Sequence, residues 1–350
     1  MSTALTIGLP EIVAGAIIVA LTGYALTGGA DYGGGVWDLL ASGPRRDEQR
    51  RLIAESIGPI WEANHVWLIV AVVVLFTGFP AAFGVLGTVL HVPLTILLVG
   101  IVLRGSAFVF RSYGRAEPAI VERWGLVFSI ASVVTPLCFG IVVGAISSDE
   151  VGRAAGNVAT MSYSDVYVAP WATLYAMAVG VFALVLFAML AAIYLAHAAT
   201  DDALREDFRR RALVSVIVVA LVGAAVLLGS ASSAPRVARG VTGSPWALVL
   251  HACTAIATGA VIAALWFRRY HAARVAAAAQ VTFVLWGRAF AQYPFVIPPT
   301  LTIRQTAAPA ATLELLIGGL AGGALILIPS LRFLFKTFAP AATTAGGSTH

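Results

Sequence analysis

Apolar residues fall in nine blocks along the chain, roughly 5–28, 59–80, 83–105, 124–146, 170–197, 212–231, 246–267, 274–292 and 312–335. Each is close to the ~20 residues a helix needs to cross a bilayer core. No strand-like alternation appears, and helices are the spanning structure that satisfies its own backbone groups in lipid. The pattern predicts an all-α, polytopic membrane protein with nine transmembrane helices within residues 1–335. The low-complexity stretch 336–350 reads as a disordered tail. Phe79-Pro80 folds spans two and three into a hairpin, and Gly58-Pro59 sets the start of span two. Five glycines within Gly28–Gly35 are expected to bend the chain out of span one. Val36, Trp37, Leu39 and Leu40 then suggest a short interfacial helix.

Composition agrees: 59% of the 350 residues are hydrophobic and 11% charged, against about a quarter charged in soluble domains. The net charge of +5 does not point to nucleic acid, because the basic residues collect in loops between apolar spans. Sixteen lie after spans one, three, five and seven and in the tail, four lie on the opposite side, and Arg104 and Arg288 fall inside or at the edge of spans. This asymmetry places the N-terminus outside, the C-terminus in the cytoplasm and Glu62 near the cytoplasmic surface. The N-terminus has no basic region and carries Glu11, so the first block is expected to be a retained helix. Cys138 and Cys253 sit inside apolar runs and offer neither a disulfide framework nor a metal site.

Candidate chemistry concentrates in Ile57–Val70, IGPIWEANHVWLIV. Glu62 and His65 share one helical face, and Asn64 and Trp67 another. Ionisable groups at the mouth of a membrane helix are costly and mark proton paths. Glu62 reads either as a proton-passing carboxylate or as a first-turn glutamate favoured by the helix dipole. Arg104 and Arg288 read as structural charges that need a carboxylate or carbonyl partner, and Glu314 is a candidate for Arg288. His91 and His251 read as satisfied core histidines. The stretch 199–211 mixes acids with arginines and reads as a solvated helical face with ion pairs. The glycine run lacks the preceding strand and the GK[ST] of a phosphate cradle.

The segment WEANHVWLI resembles the W-D-G-N-x-V-W-L-I signature of subunit II of cytochrome bd-type terminal oxidases. Trp61, Asn64, Val66, Trp67, Leu68 and Ile69 match. Glu62 stands for the family's aspartate, Ala63 for its glycine and His65 for its glutamine or glutamate. Asp31, Gly33 and Gly35 match a D-G-F-D-x-G-x-G pattern, with Gly28 at its first aspartate. Arg104 and Arg111 match F-R-x-x-x-F-D/E-x-R, with Val109 at the acidic position. Pro294, Phe295, Val296, Pro298, Leu301, Thr302 and Ile303 match a later F-P-F-V-x-P-S and L-T-I segment, where Tyr293 and Pro299 differ and Arg304 replaces an aromatic.

The resemblance implies a subunit of a quinol-oxidising, oxygen-reducing complex of aerobic respiration. It implies two four-helix bundles plus one peripheral helix. Haem b and haem d are expected in the partner, subunit I, with no catalytic, cofactor or metal residue in this chain. Cytoplasmic protons would be drawn through Glu62, His65, Asn64 and Asp31. His65 is open to three readings: haem ligand, relay or bundle hydrogen bond. Trp67 marks the position the family associates with oxygen access, or is a packing tryptophan. Further expected partners are a small single-span accessory subunit and membrane lipids, in a bacterial inner membrane. The donor stays open between ubiquinol, menaquinol and a cytochrome. A proton-coupled secondary transporter is the rival reading; it would act alone, without a haem-bearing partner.

Overall fold

The computed structural model describes residues 7–113 and 118–337, with the side chains of 57–63 among those outside the description. In chain order the elements are α1 (Leu9–Leu39), α2 (Arg46–Gly78), α3 (Pro80–Val89), α4 (His91–Tyr113), α5 (Pro118–Ser147), α6 (Glu150–Gly156) and α7 (Tyr163–Tyr167). There follow α8 (Leu174–Ala198), α9 (Asp202–Ser233), α10 (Pro235–Gly243), α11 (Pro245–Trp266), α12 (Tyr270–Gln292), β1 (Phe295–Ile297), β2 (Leu301–Thr302), α13 (Ile303–Thr306) and α14 (Ala310–Thr337). The described residues are all-α apart from the antiparallel β1–β2 hairpin, which pairs Phe295 with Thr302 and Ile297 with Leu301.

Among the described residues seven helices are long and apolar enough to span a membrane: α1, α4, α5, α8, α9, α11 and α14. The second half of α2 together with α3 makes an eighth if that bent pair is one span. Helix α12 has 23 residues but carries Arg274, Gln280, Arg288 and Gln292 within them.

Three expectations at the front of the chain need correction. The glycine run does not bend the chain, because α1 stays helical from Leu9 to Leu39 and includes the residues expected to form a separate interfacial helix. Glycine is a poor helix former in water, but in lipid every backbone group must be bonded. Here the missing side chains also admit neighbours: a Cβ on Gly33 would overlap the Phe187 carbonyl of α8, and one on Gly35 would overlap Ser132 of α5. Secondly, α2 begins at Arg46 with Asp47 and Glu48 in its first turn, so Gly58-Pro59 lies inside it. Thirdly, the hairpin breaks twice: at Phe79, where α3 turns off by 114°, and at Leu90, between α3 and α4. Span three is therefore α4, later than the 83–105 expected.

Helix α1 packs against α2, α8 and α5, while α4 lies on α5, α8 on α9 and α11 on α12. Tyr24, Tyr32, Leu190, Ile193, Val216, Leu265 and Val281 form the central apolar core. A second core under the hairpin joins Val13, Val74, Phe79, Leu90, Ile297 and Leu313. Helix α14 packs on α2 and α1 and leaves Leu315, Leu325 and Ile326 exposed.

Candidate functional site

Asp31, fully buried in the second half of α1, faces Arg104 of α4, which is 1% exposed. Arg104 Nη1 donates to Asp31 Oδ2 at 2.8 Å, and Nη2 donates to Oδ1 and to the Asp31 carbonyl. Arg104 Nε donates to Ser132 Oγ at 2.9 Å, and that hydroxyl donates to the Phe128 carbonyl of its own helix. The guanidinium lies 4.7 Å from the ring centres of Tyr32 and Phe128, between a carboxylate and two aromatic faces. This is the compensation an arginine at membrane depth requires.

Asn64 of α2 closes the arrangement. Its Nδ2 donates to Asp31 Oδ2 at 3.3 Å, and its Oδ1 lies 3.4 Å from the Thr27 hydroxyl, whose proton also serves the Gly23 carbonyl. Gly28 makes room for it, since a Cβ there would stand 2.8 Å from Asn64 Oδ1. One turn on, the Trp67 ring covers Gly23 so closely that a Cβ would come within 2.6 Å. Residues 64 and 67 thus pair with 28 and 23, an antiparallel register.

That register puts position 62 at about the depth of Asp31, some four turns into α2. The reading of Glu62 as a first-turn glutamate is therefore set aside, because dipole stabilisation fades within one turn. The Glu62 side chain itself lies outside the described residues. His65 is half-buried on the neighbouring face of α2.

A second ion-pair level was missed by sequence reasoning. Asp38, 1% exposed, accepts from Arg111 Nη2 at 3.0 Å and Nη1 at 3.1 Å, and from Ser129 at 2.9 Å. Arg50 lies 3.9 Å from it. Asp31 and Asp38 are seven apart, as are Arg104 and Arg111. Both pairs therefore share one separation along the chain, so the two levels stack two turns apart on α1 and α4. That spacing was the available signal. The carboxylate beside Arg111 thus comes from α1.

Arg288 of α12 finds neutral partners. Its Nη2 donates to the Val143 carbonyl at 2.9 Å and to Ser147 Oγ at 2.8 Å. Glu314 is exposed, and the expectation that it reaches Arg288 is corrected, because the α5 end supplies the acceptors. His91 and His251 each place Nδ1 within hydrogen-bond reach of a backbone carbonyl, that of Thr88 at 2.9 Å and that of Ala247 at 2.7 Å. Among the described residues no three His, Cys, Asp or Glu side chains converge to hold a metal. At the α1–α2 connection Arg45 is hydrogen-bonded to Asp207, which raises its pKa above the usual arginine value. Arg304, beyond the β1–β2 hairpin, is raised likewise by Glu11.

Fold and site together define a multi-pass α-helical membrane protein with a buried two-level column of carboxylates and arginines. The sequence matches the family of cytochrome bd terminal oxidase subunit II over residues 9–338, and the chain belongs to that family. It is 32% identical over 126 residues to the cytochrome bd-I ubiquinol oxidase subunit 2 of Escherichia coli, a match covering 36% of this chain and 32% of that protein. It is 28% identical over 127 residues to the cytochrome bd ubiquinol oxidase subunit 2 of Bacillus subtilis, covering 36% of each. These matches span about a third of the length of those two relatives. The putative cytochrome bd menaquinol oxidase subunit II of B. subtilis aligns over 321 residues at 22% identity, 90% of this chain and 91% of that one. The fold matches a chain of the bd oxidase from Geobacillus thermodenitrificans with a TM-score of 0.74 at 20% identity, covering 95% of this chain and 98% of that one.

Proposed function

We propose that the chain serves as the haem-free subunit II of a quinol:oxygen oxidoreductase and delivers cytoplasmic protons for the reduction of oxygen to water. The observation that carries this reading is the buried Asp31–Asn64–Arg104 cluster, set against the helix segment that bears Glu62 and His65. Family membership supports a haem-bearing subunit I as partner, with haems b and d there and a quinol as donor. When bound in that partner, the haems supply the electron transfer and oxygen chemistry. In the bacterial inner membrane the chain would have nine spans in two four-helix bundles with α14 outside them, and an external N-terminus.

Within this reading the residues divide the work. Both Asp31 oxygens are committed to Arg104, so Asp31 serves as the counter-ion of Arg104 beside the path. Asn64 orients that charge toward α2. Glu62, at similar depth, is the group that exchanges protons, and His65, three residues on, suits the next transfer because an imidazole has one nitrogen to accept a proton and another to release one. Trp67, packed on Gly23, lines the approach of oxygen from the lipid phase.

Glu62→Gln keeps shape and hydrogen bonding but cannot titrate. The variant is expected to assemble with full haem content and lose turnover, while Glu62→Asp stays largely active. Wild-type turnover in an assembled Glu62→Gln complex would move the relay elsewhere. A chain that purifies alone and carries stoichiometric haem would overturn the subunit assignment.

A further inference from the structure

At the arginine-rich end of the bundle, the α1–α2 connection and the first turns of α9 enclose a cleft of about 350 Å³ lined by Ser42, Arg45, Gln49, Asp207, Arg210 and Arg211. The cleft holds three guanidiniums and one carboxylate. Asp207 is fully engaged: Arg45 Nε and Nη2 donate to it at 2.9 and 2.6 Å, and Gln49 Nε2 at 3.2 Å. Arg211 spends Nη2 on Gln49 Oε1 at 2.8 Å, while its Nη1 is buried with no acceptor. The rings of Trp37 and Phe208, 5.3 and 5.1 Å away, hold this guanidinium in place without neutralising it. Arg210 is 75% exposed and shares Glu206 with Arg209 and Arg268. The cleft is therefore short of negative charge and of acceptors.

A phosphate group supplies both, since its oxygens match the donor forks of arginine. The apolar surface beside the cleft adds a second constraint. Leu39 and Leu40, just before Ser42, are 43% and 54% exposed at the end of a membrane helix, where acyl chains would run. We infer that this cleft binds a phosphate-bearing anion, and that the adjoining leucines favour the headgroup of an acidic phospholipid over free phosphate. Basic pockets between membrane helices are a recurrent way of holding such headgroups.

Native mass spectrometry of the chain in its purified complex tests this, with phosphatidylglycerol as probe, phosphatidylcholine as the zwitterionic control and inorganic phosphate as competitor. Phosphatidylglycerol should be retained preferentially. Arg210→Gln should weaken it about threefold, and Arg210→Gln with Arg211→Gln about tenfold or more, with phosphatidylcholine uptake unchanged. Arg211→Lys keeps the charge but loses the fork and the stacking, and should fall between wild type and Arg211→Gln. Displacement by millimolar phosphate would identify the free anion as the ligand; resistance to it would identify the lipid. Equal phosphatidylglycerol retention by wild type and the double variant would overturn the proposal. If the double variant does not assemble, the exposed Arg210→Gln decides alone, and unchanged retention there is the overturning result.

Discussion

Asp31 on α1 and Arg104 on α4 form a bidentate ion pair with both side chains out of contact with solvent. Two opposite charges at this depth cancel, yet each was taken from water at a cost of several kcal/mol. The pair is thus a commitment of the fold that removal of one member exposes. Asp31→Leu leaves Arg104 buried without a counter-ion and should cost about 3–5 kcal/mol, read as a loss of assembled protein or a lower unfolding midpoint. Asp31→Leu combined with Arg104→Met removes both charges and should recover most of that stability. If the cluster serves proton delivery, the double variant will assemble and still turn over slowly. Recovery of both stability and turnover would reduce the pair to scaffolding.

The glycines of α1 make a sharper stability prediction, because their neighbours differ. A Cβ on Gly33 would overlap the Phe187 backbone carbonyl, which cannot move without shifting α8. Gly33→Ala should therefore destabilise by about 1–3 kcal/mol or more. Gly84, with nothing within 4 Å, should accept alanine with no loss and up to about 1 kcal/mol of gain. Thermal unfolding of the solubilised variants compares the two.

Sidedness follows from the path of the helices. Ser42, between α1 and α2, and Thr160, between α6 and α7, are both exposed and lie at opposite ends of the long helices. With the native cysteines replaced, single cysteines at 42 and 160 should be labelled from opposite faces of the membrane, position 42 from the cytoplasm. Labelling of both from one face would contradict the arrangement, and labelling of 160 from the cytoplasm would invert it.

Much of the bundle was legible because hydrophobic blocks of bilayer length have few alternative folds, and the order of those blocks survives in the long helices. Asp31, Asn64 and Arg104 were also visible, as polar residues in apolar surroundings. What the chain concealed was continuity. Gly28–Gly35 and Gly58-Pro59 carry the residues that break helices in water, but lipid penalises an unbonded backbone more than it penalises glycine, and both stretches stay helical. Placing Glu62 at a helix start followed from that misreading. Asp38 was hidden for a different reason: it looked like part of a surface segment, and its burial comes from Arg111 of α4 and Ser129 of α5, which only the matching seven-residue spacings hinted at.

Asp38 also gives a stability prediction. Val109 stands at the position where the resembled motif carries an acid, while the carboxylate that faces Arg111 is Asp38 of α1, held by Arg111, Ser129 and Arg50. Asp38→Asn keeps the Ser129 hydrogen bond but leaves two guanidiniums without their carboxylate, at a cost of about 2–4 kcal/mol. Returning the acid to its family position should not repair this. Val109 is 42% exposed and two residues from Arg111, about 200° around α4, so Asp38→Asn with Val109→Asp would place the new charge on an outward face. The double variant is expected to be less stable than Asp38→Asn alone, by unfolding midpoint in detergent. A double variant restored to wild-type stability would mean that α4 can rotate to meet either carboxylate, and that the two-level register of α1 and α4 is not fixed by Asp38.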